Sequence, residues 1–225
     1  MTPIVTIRPE PGASATVKAG LESGIFVQSY PLSRIEALSW DGPGPDSVDG
    51  LLVGSSNAIR HAGEGLQAYL EKPLFAVGEA TANVARAMGF HVEMVGEGGL
   101  QELVEAIGGV PLRLLRLAGE RNVPLMLPEG ITVETRILYK VQDEPMPETL
   151  LSVLADGAIV LLHSAGAAEH FRAECTRHGI DLSTVRIAAL GPRIAEAAGA
   201  GWSEVRSAPQ PRGGMLLALA AEMCH

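Results

Sequence analysis

The second half of the chain repeats the landmarks of the first in the same order. Asp49-Gly50-Leu51-Leu52-Val53 is echoed by Asp156-Gly157-Ala158-Ile159-Val160. Ser56-Asn57-Ala58 is echoed by Ser164-Ala165-Gly166, and Phe75-Ala76-Val77-Gly78-Glu79 by Ile187-Ala188-Ala189-Leu190-Gly191. Each copy then reaches a Gly-aromatic pair, Gly89-Phe90 or Gly201-Trp202. An apolar stretch follows in each, opened by Gly98-Gly99-Leu100 or Gly213-Gly214-Met215. A duplicated unit predicts two similar lobes with a cleft between them. The 225 residues are long for one core and comfortable for two small ones.

Each lobe reads as α/β. The hydrophobic content is 47%, mostly Ala, Leu, Val and Ile with only 4% aromatic, which suits buried parallel strands under Ala-rich helices. Periodicity predicts strands over residues 4–7, 25–27, 51–53, 75–77, 92–95, 112–117, 131–141, 158–162, 186–190 and 204–207. It predicts helices over 13–22, 57–70, 80–88, 100–107, 165–177, 192–198 and 215–223. The alternation implies parallel, flavodoxin-like sheets flanked by helices. Two breaker clusters, Gly42-Pro43-Gly44-Pro45 and Glu144-Pro145-Met146-Pro147, mark chain crossings between the lobes. Residues 1–35 with 148–225 are expected to form one discontinuous lobe and 46–135 the other, with 36–45 and 136–147 as connectors.

A net charge of −9 argues against nucleic acid as a partner. Only Lys18, Lys72 and Lys140 of the 17 basic residues are lysines. Arginine forks onto carboxylates and phosphates, although a coding bias explains the same excess. Cys175 and Cys224 stand apart with no metal spacing, as free thiols do in a reducing compartment. The segment 1–7 has neither a basic nor an apolar leader region, and the apolar run 150–162 is interrupted by Asp156 and too short to span a bilayer. A cytoplasmic, membrane-free protein is expected, and the scarcity of aromatic anchors suggests a monomer.

Ligands of parallel sheets bind beyond the carboxyl ends of the strands. The residues there are Arg8, Ser55-Ser56-Asn57, Gly78-Glu79-Ala80-Thr81, Gly96-Glu97-Gly98-Gly99, Arg116, Ser164, Gly191-Pro192-Arg193 and Gln210-Pro211-Arg212-Gly213-Gly214. Several open a helix, where free N–H groups and partial positive charge favour anions. Taken singly, such residues are equally helix caps. Taken together they point to a carboxylate or phosphate ligand. No nucleotide fingerprint, metal-ligand pair or nucleophilic triad is present, so no metal is expected. Tyr139, near the end of the 131–141 strand, is placed to face a cleft. Its phenol keeps its proton at neutral pH (pKa about 10) and can donate a hydrogen bond, though a tyrosine there also serves to cover a sheet edge.

The ordered set Gly78-Glu79-Ala80-Thr81-Ala82, Leu115-Arg116-Leu117-Ala118-Gly119-Glu120-Arg121, Val133 to Tyr139, Leu162-His163-Ser164 and Ala189-Leu190-Gly191-Pro192 resembles the uroporphyrinogen-III synthase family across nearly the whole chain. The resemblance implies two α/β lobes joined by a two-stranded connector. It implies hydroxymethylbilane as substrate, a linear tetrapyrrole with eight carboxylates, closed to the macrocycle with ring D inverted and water lost, as a step towards haem. It implies no cofactor. Tyr139 matches the family tyrosine expected to assist hydroxyl departure. Ser56, Thr81 and Ser164 match hydroxyl positions at the cleft, and Arg8, Asn57, Gly166 and Gly191 complete the expected binding set. The family's second Gly-Pro-x-Thr-Ala segment reads Gly191-Pro192-Arg193-Ile194-Ala195 here. The threonine is missing, and Arg193 or the helix N–H groups are expected in its place.

Two alternatives differ in class. A two-lobed module that closes on an anionic ligand without chemistry fits the bare strand tips. A flavodoxin-like cofactor carrier fits less well, because few aromatics are available to stack on a flavin.

Overall fold

The computed structural model describes residues 2–108 and 111–224; Met1, Gly109, Val110 and His225, which fall within the expected lobes, lie outside the described residues. The chain opens with β1 (Ile4–Thr6), α1 (Gly12–Glu22), β2 (Val27–Ser29) and β3 (Ser33–Ala37). It continues through β4 (Gly50–Val53), α2 (Ser56–Arg60), β5 (Leu74–Val77), α3 (Glu79–Ala87), β6 (Val92–Gly96), α4 (Leu100–Ile107), β7 (Leu112–Gly119) and β8 (Ile131–Asp143). It closes with α5 (Glu148–Ala155), β9 (Ile159–Leu162), α6 (Ala165–Arg177), β10 (Arg186–Ala189), α7 (Pro192–Ala198), β11 (Glu204–Ser207) and α8 (Gly213–Glu222).

The described contacts divide the chain into two compact units, Met1–Arg34 with Gln142–His225, and Ile35–Val141. The discontinuous unit holds a sheet ordered β2-β1-β9-β10-β11, every adjacent pair parallel. The continuous unit holds β3-β8-β7-β4-β5-β6, with β8-β7, β7-β4, β4-β5 and β5-β6 parallel. In the first sheet the chain steps outward one way through β1 and β2 and the other way through β9, β10 and β11. In the second it steps one way through β7 and β8 and the other through β4, β5 and β6. Each sheet therefore reverses its winding once, at β1/β9 and at β7/β4, and such a reversal opens a crevice at the strand tips.

The strands form because both faces of each sheet are covered. All four residues of β4 and of β9 are buried, giving the continuous apolar runs of a parallel sheet rather than alternation. In the discontinuous unit Val5, Val160 and Ile187 pack with Phe171 and Trp202 on one face, while Ile4, Leu161 and Ala188 pack under α8 on the other. In the continuous unit Leu51, Val53 and Leu117 pack with Ala58, Ala82 and Phe90, and Leu52, Phe75 and Leu114 pack with Leu103 and Val104 of α4. At the amino edge of this sheet Arg113 grips Asp49 through Nη2 (2.8 Å) and Nε (3.1 Å), and the Arg113 guanidinium holds the Asp49 carboxyl down at about 2.

Four readings from sequence change. The expected helix 57–70 stops at Arg60 and gives way to a 3-10 turn over Glu64–Tyr69, because Gly63 between them takes φ 67°, outside helical space. The strand expected over 25–27 begins at Val27, since the Ile25 amide closes α1 on the Gly20 carbonyl. Two elements are additional to the pattern. One is β3, whose Ser33-Arg34-Ile35-Glu36-Ala37 is mostly polar; the other is α5, hidden at the start of the 150–162 apolar run. Of the residues expected as connectors, 36–45 and 136–141 fall within the continuous unit and 142–147 within the other.

Candidate functional site

In the continuous unit the tips of β4 and β7 frame an open recess of about 220 Å³. Gly54 and Ser55 line it from β4, Arg116 and Gly119 from β7, Tyr139 from β8 and Asn122 from the segment beyond β7. Tyr139 gets there by strand pairing, because β7 runs to Gly119 and there faces Tyr139 across the sheet. The missing side chain at 119 is what lets the phenol lie over the strand: a Cβ at this position would stand 2.6 Å from the ring carbon that carries the hydroxyl. Among the described residues the Tyr139 hydroxyl makes no hydrogen bond. His61 stands beside the ring with centroids 6.3 Å apart, and burial, helped by the Arg60 charge, pushes its pKa below the ordinary histidine value.

Arg116 is the unexpected member. It is 4% exposed, donates from Nη1 to the Val123 carbonyl at 2.8 Å, and keeps a buried Nε with no partner among the described residues. Burial lowers its pKa, yet an arginine starts so high that it stays charged. A second recess, of about 280 Å³, adjoins the first and shares Arg116 and Asn122 as lining.

The discontinuous unit presents the same edge of its own sheet. Arg8 lies two residues beyond β1, Ser164 two beyond β9 and Gly191 two beyond β10. Ser164 caps α6 by accepting from the Ala167 amide at 3.2 Å. Gly166 follows in the first turn of α6, and Gly191 precedes α7, whose first turn carries the exposed Arg193. His163 sits where this sheet reverses, with its Nδ1 buried and unpartnered among the described residues; burial first, and then the Arg8 charge, push its pKa down to about 3.

Ser56 and Asn57 lie in the opening turn of α2, as expected from the strand-tip pattern. Ser56 Oγ accepts from Arg60 at 2.6 Å, and the Asn57 amide donates to Ser55 Oγ at 3.2 Å. The capping serine that corresponds to Ser164 is therefore Ser55 and not Ser56, and Ser55 also lines the Tyr139 recess. Thr81 lies in the first turn of α3 but is only 5% exposed, which leaves its hydroxyl little surface for a ligand. The sequence pattern puts Ser55 among the strand-tip residues but does not single out Gly119 or Asn122 as recess residues. It puts Arg116 at a strand tip, whereas β7 continues three residues past it.

Among the described residues no group of three or more His, Cys, Asp or Glu side chains is placed to hold a metal, and no helix is long and apolar enough to cross a membrane. Two flavodoxin-like units, each a parallel sheet flanked by helices and ending in a glycine-rich polar edge, define a double α/β protein. The chain belongs to the uroporphyrinogen-III synthase family: the family model described as uroporphyrinogen-III synthase HemD matches residues 15–218.

The fold is similar to a uroporphyrinogen-III synthetase from Helicobacter pylori 26695, with a TM-score of 0.66, 17% identity and 99% and 100% of the two chains covered. It is also similar to a mutant uroporphyrinogen III synthase from the extremely thermophilic bacterium Thermus thermophilus, with a TM-score of 0.57, 16% identity and 100% and 99% covered. No curated protein matches the chain in sequence. Membership places the chain among lyase-type enzymes of porphyrin and haem biosynthesis that act on a small tetrapyrrole.

Proposed function

We propose that the chain closes hydroxymethylbilane to uroporphyrinogen III, inverting ring D and releasing water, and that it is in this sense a hydro-lyase. The observation that carries the role assignment is Tyr139: a phenol with no internal hydrogen bond among the described residues, lying against Gly119 in an open recess at the tip of a sheet. The pyrrole nitrogen of the substrate expels the terminal hydroxyl, and the phenol assists by donating a hydrogen bond or its proton to that oxygen. The harder task is shape. Unassisted closure gives the non-inverted isomer, so the protein must hold the chain with the substituted carbon of ring D at the reacting end. That is catalysis by positioning.

Eight carboxylates need many donors, and the strand tips of both units supply them. Ser55, Ser56 and Asn57 serve on one unit, and Arg8, Ser164, Gly166, Gly191 and Arg193 on the other. Thr81 keeps a backbone role at the start of α3. We read the chain as acting as a cytoplasmic monomer, which sedimentation velocity checks.

Incubation with freshly made hydroxymethylbilane, followed by separation of the product isomers, tests the reaction. Type III product above the spontaneous background is expected; type I alone rejects the reading. Tyr139→Phe should lower the type III rate about 10²-fold. A variant at full rate makes the phenol dispensable.

A further inference from the structure

The internal repeat supplies a control for Arg116. Ser55 and Ser164 are equivalent caps, so Leu52 and Leu161, each three residues earlier, are equivalent strand positions. Leu52 faces Arg116 across the sheet and Leu161 faces Thr6. Position 116 in one unit is thus position 6 in the other, and both residues are buried. What covers them differs. Between β1 and β2 the chain forms the helix α1, whose Val17 and Ala19 pack with Ile4 and Val27. Between β7 and β8, residues 120–130 form no helix. They pass over Arg116 as a strap, tied down where Gln101 of α4 donates to the Met126 carbonyl and accepts from its amide, both at 2.9 Å. The two recesses under this strap meet at Arg116 and Asn122.

A guanidinium carries five N–H donors, and among the described residues this one places a single hydrogen bond, on Val123. No carboxylate of the described residues is paired with it, and apolar Leu100, Leu125, Leu127 and Val133 line the recesses around it. A buried cation without a counter-ion is a cost to the fold. The same surroundings strengthen its attraction for an incoming anion, and the fork geometry suits a carboxylate.

We propose that Arg116 binds a carboxylate of the substrate, an acetate or propionate arm of one ring, in the recess that also holds Tyr139. The proposal rests on the tetrapyrrole reading above. It makes Arg116 a binding residue that sets which ring end lies beside the phenol, in a pocket that exists because the crossover helix of the other unit is here replaced by a strap.

The test uses the full-length protein with Arg116→Met, which keeps length and loses charge, and Arg116→Lys, which keeps charge and loses the fork. Three quantities are read: KM and kcat for hydroxymethylbilane, equilibrium binding of the octacarboxylate uroporphyrin III by fluorescence, and Tm without ligand. Arg116→Met should raise KM and weaken uroporphyrin binding by at least about tenfold, with a ligand-free Tm equal to or above that of the parent. Arg116→Lys should fall between, with binding more sensitive to salt. Unchanged KM and porphyrin affinity in folded Arg116→Met overturns the proposal. So does a lowered ligand-free Tm or a failure to fold in that variant, because it assigns Arg116 to the fold; Arg116→Lys with the parent's KM overturns it as well. If the parent chain makes only type I product, the reaction reading fails by itself, and the porphyrin titration still decides whether Arg116 holds a carboxylate.

Discussion

At the residue scale, the polar side chains that matter are the ones the fold leaves unsatisfied. The buried side-chain atoms without a partner among the described residues are Thr6 Oγ1, Arg116 Nε and His163 Nδ1, and all three residues stand where a sheet reverses its winding. His163 has a consequence for pH. Its folded pKa, about 3, lies below the ordinary histidine value of 6.5, so the unfolded chain binds a proton in the window between them and the folded chain does not. Stability from this group is complete above pH 6.5 and is lost as pH falls towards 3, at no more than about 1.4 kcal/mol per pH unit. Urea unfolding of the parent and of His163→Gln across this range should show the parent losing stability faster as pH falls. Parallel curves would mean that His163 protonates in the folded state as freely as in the unfolded one. Gly119 makes a second test. Because a methyl at 119 would meet the Tyr139 ring at 2.6 Å, Gly119→Ala should cut the rate of type III formation towards that of Tyr139→Phe while leaving β7 intact. A Gly119→Ala enzyme at full rate would show that the ring is not held where the strand puts it.

At the element scale, the helices are legible where punctuation and apolar period agree. The bounds of α4, α6 and α7 are those the sequence pattern predicts, because Gly99, Ser164 and Gly191-Pro192 mark their starts. The helix α5 is hidden because Leu150 and Leu154 merge into the run that becomes β9, and the turn at Asp156-Gly157 looks like an interruption of one stretch. Arg116 leaves a fainter signal. Arg113 and Arg116 are three apart in one strand and so must face opposite sides of the sheet. Arg113, at the strand start, escapes to Asp49, but Arg116 lies deep enough that its side has to be interior. What no pattern reveals is that the strap above it leaves space. Packing between elements is testable on the other unit. Phe171 of α6 is fully buried and stacks on Trp202 just before β11, with centroids 5.5 Å apart and planes 9° apart. Phe171→Ala should cost about 3–5 kcal/mol in denaturant unfolding, and Phe171→Leu clearly less. A loss under about 1 kcal/mol for the alanine variant would place that stack outside the core.

At the scale of the whole molecule, β3 aside, the two units share one spatial strand order but reach it by different chain orders. In the continuous unit β4, β5, β6, β7 and β8 follow one another along the chain. In the other, the corresponding strands are β9, β10, β11, β1 and β2, so the last two come from the opposite end of the sequence. That break is closed in space by Arg186, which donates through one nitrogen to the Met223 carbonyl and through the other to Thr2 Oγ1 at 2.7 Å, while Cys224 Sγ lies 3.9 Å from the Thr2 carbonyl. Residues 2 and 224 are therefore neighbours. A short Gly/Ser linker can join them without moving either. Opening the chain between the exposed Pro147 and Glu148, ahead of α5, then yields a permutant in which both units run in the same order, as a tandem repeat. Because the cut severs no strand and the linker spans a gap already closed by Arg186, the permutant should keep its circular dichroism spectrum, melt within a few degrees of the parent and retain its turnover. Arg186→Ala should lower Tm more in the parent, where the side chain helps tie the two ends, than in the permutant, where a covalent link joins them. Equal losses in the two backgrounds would mean that Arg186 acts within β10 alone and that the two ends are not held together by it.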